Sequence, residues 1–85
     1  MNSDFEISKH ATDQARERGI ALESIFLVLN QPDKIIDDEI GQVIYQKKIK
    51  STYEMDVLIR VFVNKLKNPF LVKTVYLTTK INKYQ

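Results

Sequence analysis

The pattern of apolar and polar positions along the chain predicts two helices at its beginning. The first helix starts after Ser8, whose hydroxyl suits an N-cap, and ends near Arg18, because Gly19 can take the left-handed conformation that terminates helices. Ala11 and Ala15 lie four residues apart and therefore share one helix face. This apolar face is narrow, so we expect packing rather than intrinsic propensity to hold the helix in place.

The second helix is predicted within the segment ALESIFLVLNQP, residues 21–32. Pro32 marks its end, because the residue before a proline avoids helical geometry. The apolar side chains at helical spacing are Leu22, Ile25, Phe26, Val28 and Leu29. We therefore expect a helical hairpin whose second member is the more deeply buried.

The rest of the chain has the alternation typical of strands. The segment KIIDDEIGQVIYQKKI predicts a hairpin that turns near residues 39–41, with Asp37, Asp38 and Glu39 in a charged turn. Two further strands are predicted in DVLIRVFVN and FLVKTVYLTT, and the chain ends in a polar, basic tail. Residues 1–85 are thus predicted to form one α+β domain, with two N-terminal helices packed on a roughly four-stranded antiparallel sheet. The other face of the sheet is expected to stay at least partly open.

The amino-acid composition excludes several kinds of site. The chain has no cysteine and one histidine, which excludes a disulfide framework and a thiolate metal site and argues against zinc. There is no apolar run long enough to cross a bilayer and no signal-peptide pattern at the start. We therefore expect a cytoplasmic protein with no membrane association, no metal and no cofactor.

Charge is distributed unevenly along the chain. Residues 1–42 carry four basic and nine acidic side chains, a net charge of −5, whereas residues 43–85 carry nine basic and two acidic ones, a net charge of +7. A basic half suits binding to a phosphate backbone through ion pairing and counterion release. Lysines on strand edges that discourage aggregation explain the same charges, and both interpretations stay open.

Arg60 interrupts an otherwise apolar strand. Alternation places it on the same sheet face as Leu58 and Phe62. In one interpretation its guanidinium reaches the sheet edge or pairs with Glu54 or Asp56. In the other it lies on the open face and binds phosphate oxygens through its planar fork.

The last strand carries polar groups at every second position. Thr74, Tyr76, Thr78 and Lys80 are predicted to share one face, which suits holding a phosphodiester and stacking a base. Packing of threonine and tyrosine against neighbouring strands is the alternative. The other face is predicted to carry Lys73, Val75, Leu77 and Thr79.

The first helix contains further candidate functional residues. A histidine that titrates near ~6.5 can act as a general base or acid, so His10 is a candidate, although a solvated histidine is the simpler interpretation. Arg16 can pair with Asp13 one turn earlier, and Arg18 suits the negative end of the helix dipole.

Taken together, these motifs resemble a family of bacterial domains without an assigned function. The resemblance runs from about Phe5 to Tyr84 and rests on an ordered set of short motifs. These are Ser8-Lys9-His10-Ala11, Arg16-Glu17-Arg18-Gly19-Ile20, residues 31–37 (QPDKIID), Tyr45-Gln46-Lys47, Ile59-Arg60-Val61, residues 74–80 (TVYLTTK) and Lys83-Tyr84. The terminal motif often has a basic residue at the position of Leu77. Because leucine carries no charge, we expect a lower affinity for RNA.

That family is similar to the RelE/ParE and BrnT toxins, which are small metal-independent ribonucleases and their relatives. The resemblance implies RNA on the open sheet face and, in many cases, a cognate antitoxin protein as partner. The resulting hypothesis is an endoribonuclease in which an RNA 2′-hydroxyl attacks the adjacent phosphodiester. The residues that the resemblance assigns are His10, Arg60 and Lys80 for catalysis, and Arg16, Tyr76, Thr78 and Tyr84 for RNA binding. Two alternatives are a non-catalytic or ParE-like protein-binding module of a toxin–antitoxin system, and a domain whose polar residues only pair internally.

Overall fold

A computed structural model describes residues 5–50 and 54–84. The elements are β1 (Phe5–Ile7), α1 (Lys9–Glu17), α2 (Leu22–Asn30), β2 (Lys34–Glu39), β3 (Gln42–Lys50), β4 (Asp56–Asn64), β5 (Phe70–Thr78) and a 3-10 turn, the C-terminal turn (Ile81–Tyr84). No helix in the described ranges is long and apolar enough to span a membrane.

The α+β class is confirmed, but the predicted sheet is corrected in two respects. It has five strands in the order β1-β5-β4-β3-β2, and β1 comes before both helices, so the helices are not N-terminal. β1 pairs with β5 in parallel while the other pairs are antiparallel, which makes the sheet mixed. A strand of three residues is too short to show the alternation on which the prediction depended.

The first helix forms for the reasons that its sequence indicates. The Ser8 side chain accepts a hydrogen bond from the backbone N–H of Ala11 at 3.0 Å, and Gly19 has a φ of 70°. The helix itself ends at Glu17, with Arg18 as its C-cap. The N-cap, the terminating glycine and the two buried alanines are thereby confirmed.

Both helices cover one face of the sheet. The core between them contains Val61, Val63, Val72 and Val75, all fully buried, and α1 packs mainly along β5 while α2 crosses β3 and β4. The small Ala11 allows a close approach of α1 to the sheet.

Where its pairing with β1 ends, the backbone edge of β5 is hydrogen-bonded to Ser8 and to helix α1. Ser8 donates its N–H to the Val72 carbonyl at 3.0 Å and its hydroxyl to the Lys73 carbonyl at 3.3 Å. Six residues later, the Gln14 side-chain oxygen accepts the Val75 N–H at 3.2 Å. These three contacts fix α1 against the sheet and determine which side chains its far end presents.

A β-bulge in β5 corrects one predicted face. Phe62 lies opposite Thr74 while the next residue, Val63, lies opposite Val72, so Lys73 is an extra residue. Its ammonium donates to the side-chain oxygen of Gln42. The prediction that Lys73 shares a face with Val75 is therefore wrong, because the bulge breaks the period of two.

The hairpin between β2 and β3 turns where predicted. The turn lies at Ile40 and Gly41, and Gly41 takes a φ of 77°. The acidic residues 37–39 belong to the end of β2 rather than to the turn. Extended pairing with β3 accommodates them because β2 is an exposed edge strand, where charges are tolerated.

Candidate functional site

The sheet face turned away from the helices, which we call the outer face, carries the residues of interest. In β4 the core residues alternate with Leu58, Arg60 and Phe62, as predicted, and these three point to the outer face. The strand register places Arg60 between Gln46 of β3 and Tyr76 of β5. One row across three strands therefore holds an amide, a guanidinium and a phenol.

Gln46 fixes the position of Arg60. It is only 2% exposed, and its side-chain oxygen accepts the Nε–H of Arg60 at 3.1 Å. Its amide nitrogen donates to the backbone carbonyl of Tyr84 at 3.2 Å, so the same side chain anchors the C-terminal turn. Sequence reasoning missed Gln46, because its importance depends on the register that sets it opposite Arg60.

The C-terminal turn brings Tyr84 over the guanidinium. The Cζ atom of Arg60 lies 4.3 Å from the ring centroid of Tyr84 and 5.5 Å from that of Phe62. These distances permit cation–π attraction, which is strongest where water is excluded. Arg60 is therefore placed between two aromatic rings rather than against a carboxylate.

A second arginine reaches the same surface from α1. The rings of Tyr76 and Tyr84 pack edge to face, with centroids 6.2 Å apart and hydroxyl oxygens 3.5 Å apart. On the far side of Tyr76, the Cζ atom of Arg18 lies 5.6 Å from the ring centroid. We call Arg18, Gln46, Arg60, Tyr76 and Tyr84 the arginine–tyrosine cluster, in which two arginines flank a pair of tyrosine rings.

Arg18 was assigned only a role at the helix end, and its contribution to the cluster was missed. The physical reason is that α1 lies along the edge of β5, so its last residues project past that edge toward the outer face. A helix predicted from sequence has no known rotation or offset relative to the sheet. Nothing in the local pattern distinguishes Arg18 from Arg16 in this respect.

The two phenols of the cluster differ in acidity. The hydrogen bond with Tyr84 lowers the pKa of Tyr76, and the nearby charges of Lys83 and Arg18 lower it further. The same hydrogen bond raises the pKa of Tyr84, while the charge of Arg60 acts in the opposite direction. Of the pair, Tyr76 is therefore the phenol that ionises first.

Thr78 is the last residue of β5, and Lys80 lies just beyond the strand. Register confirms that Thr74, Tyr76 and Thr78 share the outer face. The strand ends at Thr78, however, so Lys80 does not extend this row as predicted; it is exposed, and its N–H donates to the Thr78 hydroxyl at 3.0 Å. Leu77 packs toward the core, so a basic residue at that position would not add charge to the outer face.

His10 and Arg16 lie on α1 outside the cluster. His10 is exposed, and the hydrogen bond from Lys9, not His10, is the main cause that lowers the pKa of the nearby Asp13. Arg16 forms the predicted ion pair with Asp13, with an N–O distance of 3.6 Å, and lines a recess between the helices together with Leu22. Within residues 5–50 and 54–84, no hydrogen bond or ring contact joins His10 or Arg16 to the arginine–tyrosine cluster.

Acidic residues do not complete the site. Asp56, a predicted partner of Arg60, pairs instead with Lys50 at 2.9 Å, and Arg60 has no ion pair among the described residues. The part of the chain that the structure describes also contains no group of three or more histidine, cysteine or acidic residues placed to hold a metal ion.

Residues 7–77 match the model of a family described as a domain of unknown function, DUF4258. The chain belongs to the DUF4258 family. The DUF4258 match includes Arg18, Gln46, Arg60 and Tyr76 but ends before the C-terminal turn, so the Tyr84 contacts lie outside it. No curated protein and no solved structure matches the chain.

Proposed function

We propose that this DUF4258 domain is a metal-independent endoribonuclease of the toxin type, similar to RelE/ParE and BrnT proteins. The observation that carries the proposal is Arg60, which Gln46 holds on the outer face between two aromatic rings, while a second arginine, Arg18, lies over the ring of Tyr76. Arginine offers two parallel donors to phosphate oxygens, and neighbouring rings offer surfaces on which unpaired bases stack. Single-stranded RNA combines both chemical groups.

The reaction requires no group beyond the chain and the RNA. The 2′-hydroxyl oxygen forms a bond to the adjacent phosphorus as a base removes its proton, and the bond from phosphorus to the 5′-oxygen breaks. The leaving oxygen takes up a proton, which yields a 2′,3′-cyclic phosphate and a 5′-hydroxyl. Negative charge grows on the phosphoryl oxygens in the transition state, and fixed cations stabilise it.

The residue roles follow the hypothesis drawn from the sequence, with two additions from the geometry. Arg60 and Lys80 stabilise the developing charge, and His10 transfers the proton. Tyr76, Thr78, Tyr84 and Arg16 hold the RNA. The additions are Arg18, a second cation beside the Tyr76 ring, and Gln46, which positions Arg60 without touching RNA.

The test is RNA cleavage in excess EDTA by the purified protein. We expect wild type to produce fragments ending in cyclic phosphate, and both Arg60→Ala and the His10→Ala, Arg60→Ala double variant to leave the RNA intact. Lys67→Ala is the matched control, since it removes one exposed cation from the turn between β4 and β5 and should cut like wild type. Intact RNA with wild type, or equal cutting by wild type and double variant, rejects the proposal.

One observation favours the alternative of a domain whose polar residues only pair internally. Tyr84 already covers the Arg60 guanidinium, and Gln46 already binds its Nε–H, so Arg60 has internal partners. If wild type neither cuts nor binds single-stranded RNA, these contacts are structural and the alternative is supported.

A further inference from the structure

A cleft that shares only Arg18 with the arginine–tyrosine cluster opens on the helix side of the sheet. It lies between the loop joining α1 to α2 and the ends of the strands, and it measures about 430 Å³. Its lining consists of Arg18, Gly19, Ile20, Ala21, Ser24, Ile49, Lys50, Val57, Ile59 and Leu77. We call it the loop cleft.

The loop cleft has an apolar floor and a small-residue rim. Ile20, Val57 and Ile59 are buried and form part of the floor. The exposed Gly19 and Ala21 lie at the rim, where their small size lets another backbone approach closely. This combination accepts apolar side chains that project from a neighbouring main chain.

The charge of the loop cleft has one sign. Among the described residues that line it, the charged ones are Arg18 and Lys50, both exposed, and none is a carboxylate. Lys50 forms an exposed ion pair with Asp56, which contributes little in water and exchanges readily. The Arg18 guanidinium lies over the ring of Tyr76 and forms no ion pair within residues 5–50 and 54–84, so its donors can take a carboxylate.

We infer that the loop cleft docks an acidic, amphipathic segment of a partner protein, whose apolar side chains enter the cleft and whose carboxylates bind Arg18 and Lys50. The cleft is partly open to solvent, which suits side-chain anchors on a peptide better than a small molecule that must be enclosed. This inference concerns a different surface from the proposed RNA site and does not require RNA cleavage.

Arg18 connects the two surfaces. The residue lines the loop cleft and also contacts Tyr76 of the arginine–tyrosine cluster. A carboxylate that binds Arg18 competes with the Tyr76 ring for the guanidinium. Occupation of the cleft therefore changes the surroundings of Tyr76 without covering the outer face.

Two synthetic peptides of equal length and equal leucine content test the inference on the full chain labelled with ¹⁵N. In one peptide glutamates flank the leucines, and in the other lysines do. We expect the glutamate peptide to shift the amide resonances of Gly19, Ala21 and Ser24, with a smaller shift at Tyr76, and the lysine peptide to shift none of them. Equal responses to both peptides, shifts confined to the outer face, or no shifts would overturn the inference.

Variants of the two arginines of α1 provide a matched pair. Arg18→Ala should weaken binding of the glutamate peptide by about two- to fivefold, because one exposed charge contact is lost. Arg16→Ala removes the same charge two residues away, outside the loop cleft, and should leave the affinity unchanged. Arg18→Glu should transfer the preference to the lysine peptide.

The two proposals fail separately. Peptide binding without RNA cleavage rejects only the endoribonuclease, and RNA cleavage without peptide binding rejects only the docking site. Equal weakening by Arg18→Ala and Arg16→Ala shows a general charge effect and overturns the cleft inference.

Discussion

The guanidinium of Arg60 and the ring of Tyr84 lie 4.3 Å apart, although 24 positions separate the two residues in the chain. This contact joins the centre of the sheet to the C-terminal turn. Burial of ring area and cation–π attraction both favour it. The turn is therefore an integral part of the outer face, and changes to it should affect both stability and the proposed site.

The contribution of the Tyr84 ring can be separated from that of its hydroxyl. Tyr84→Ala removes both, and we expect it to lower the free energy of unfolding by about 1–3 kcal/mol. Tyr84→Phe keeps the ring over Arg60 and loses only the contact with the Tyr76 hydroxyl, so it should lower stability by less than about 1 kcal/mol. Urea unfolding measures both values. Equal losses for the two variants would contradict a stabilising ring contact.

Gln46 should be intolerant of apolar replacement. Gln46→Met keeps most of the volume but leaves the Arg60 Nε–H and the Tyr84 carbonyl without their partner, which should cost about 2–4 kcal/mol of unfolding free energy. Gln31→Met is the control, because Gln31 is exposed and should change stability by less than about 0.5 kcal/mol. Similar effects of the two changes in thermal or urea unfolding would show that the buried amide contributes little.

Asp33 predicts a specific dependence of stability on pH. The N–H of Lys48 donates to its carboxylate at 2.8 Å, and this bond together with the Lys47 ammonium lowers its pKa from the ordinary value of 3.8. A lowered pKa in the folded state means that the stabilisation is present above 3.8 and is lost as pH falls through the lower folded value. Wild type should therefore exceed Asp33→Asn in stability at pH 6, and the difference should vanish near pH 2.

The control for this measurement is Asp37→Asn. Asp37 lies four residues later, and its side chain forms no hydrogen bond or ion pair among the described residues, so its replacement should change the pH dependence less. A difference between wild type and Asp33→Asn that is constant from pH 2 to pH 6 would exclude a role for the charged carboxylate.

Ser8 has two functions that different substitutions separate. Ser8→Ala removes both the N-cap and the bond to the Lys73 carbonyl, and should cost about 1–2 kcal/mol. Ser8→Asp can still accept the Ala11 N–H but cannot donate to Lys73, so its stability should fall between wild type and alanine. The order of the three melting temperatures checks this, and an aspartate variant no better than alanine would contradict the capping role.

Substitution of the candidate proton-transfer residues tests the proposed chemistry. With His10 as the general base, His10→Ala should remove most of the RNA cleavage. Tyr76→Phe keeps the ring beside Arg18 and should retain most of the cleavage. Loss of cleavage in Tyr76→Phe and its retention in His10→Ala would move the proton transfer to the phenol pair.

Local rules predicted the elements well and their arrangement less well. The N-cap at Ser8, the end of the helix at Gly19 and the outer-face position of Arg60 follow from interactions within a few residues, so one sequence suffices to predict them. The parallel pairing of β1 and the bulge at Lys73 arise from contacts between distant segments. A short strand and a single extra residue leave too weak a local pattern to show them.

The candidate site divides in the same way. Arg60, Tyr76 and Tyr84 were identified from the sequence because their residue types are unusual at their positions, and the structure brings these three together. Arg18 and Gln46 were missed because their roles depend on how α1 lies against β5 and on the register between β3 and β4. Neither the packing of the helix on the sheet nor the strand register can be read from the sequence near these residues.

The side-chain oxygen of Gln14 occupies the position at which a further strand would accept the Val75 N–H. Helix α1 therefore blocks this edge of the sheet. The hydroxyl of Ser8 does the same at the Lys73 carbonyl, to which it donates a hydrogen bond. If the helix is deleted or unfolds before the sheet, the backbone N–H and C=O groups along this edge of β5 lose their hydrogen-bond partners. An exposed strand edge of this kind pairs with strands of other molecules, so the short helix also protects the protein from self-association.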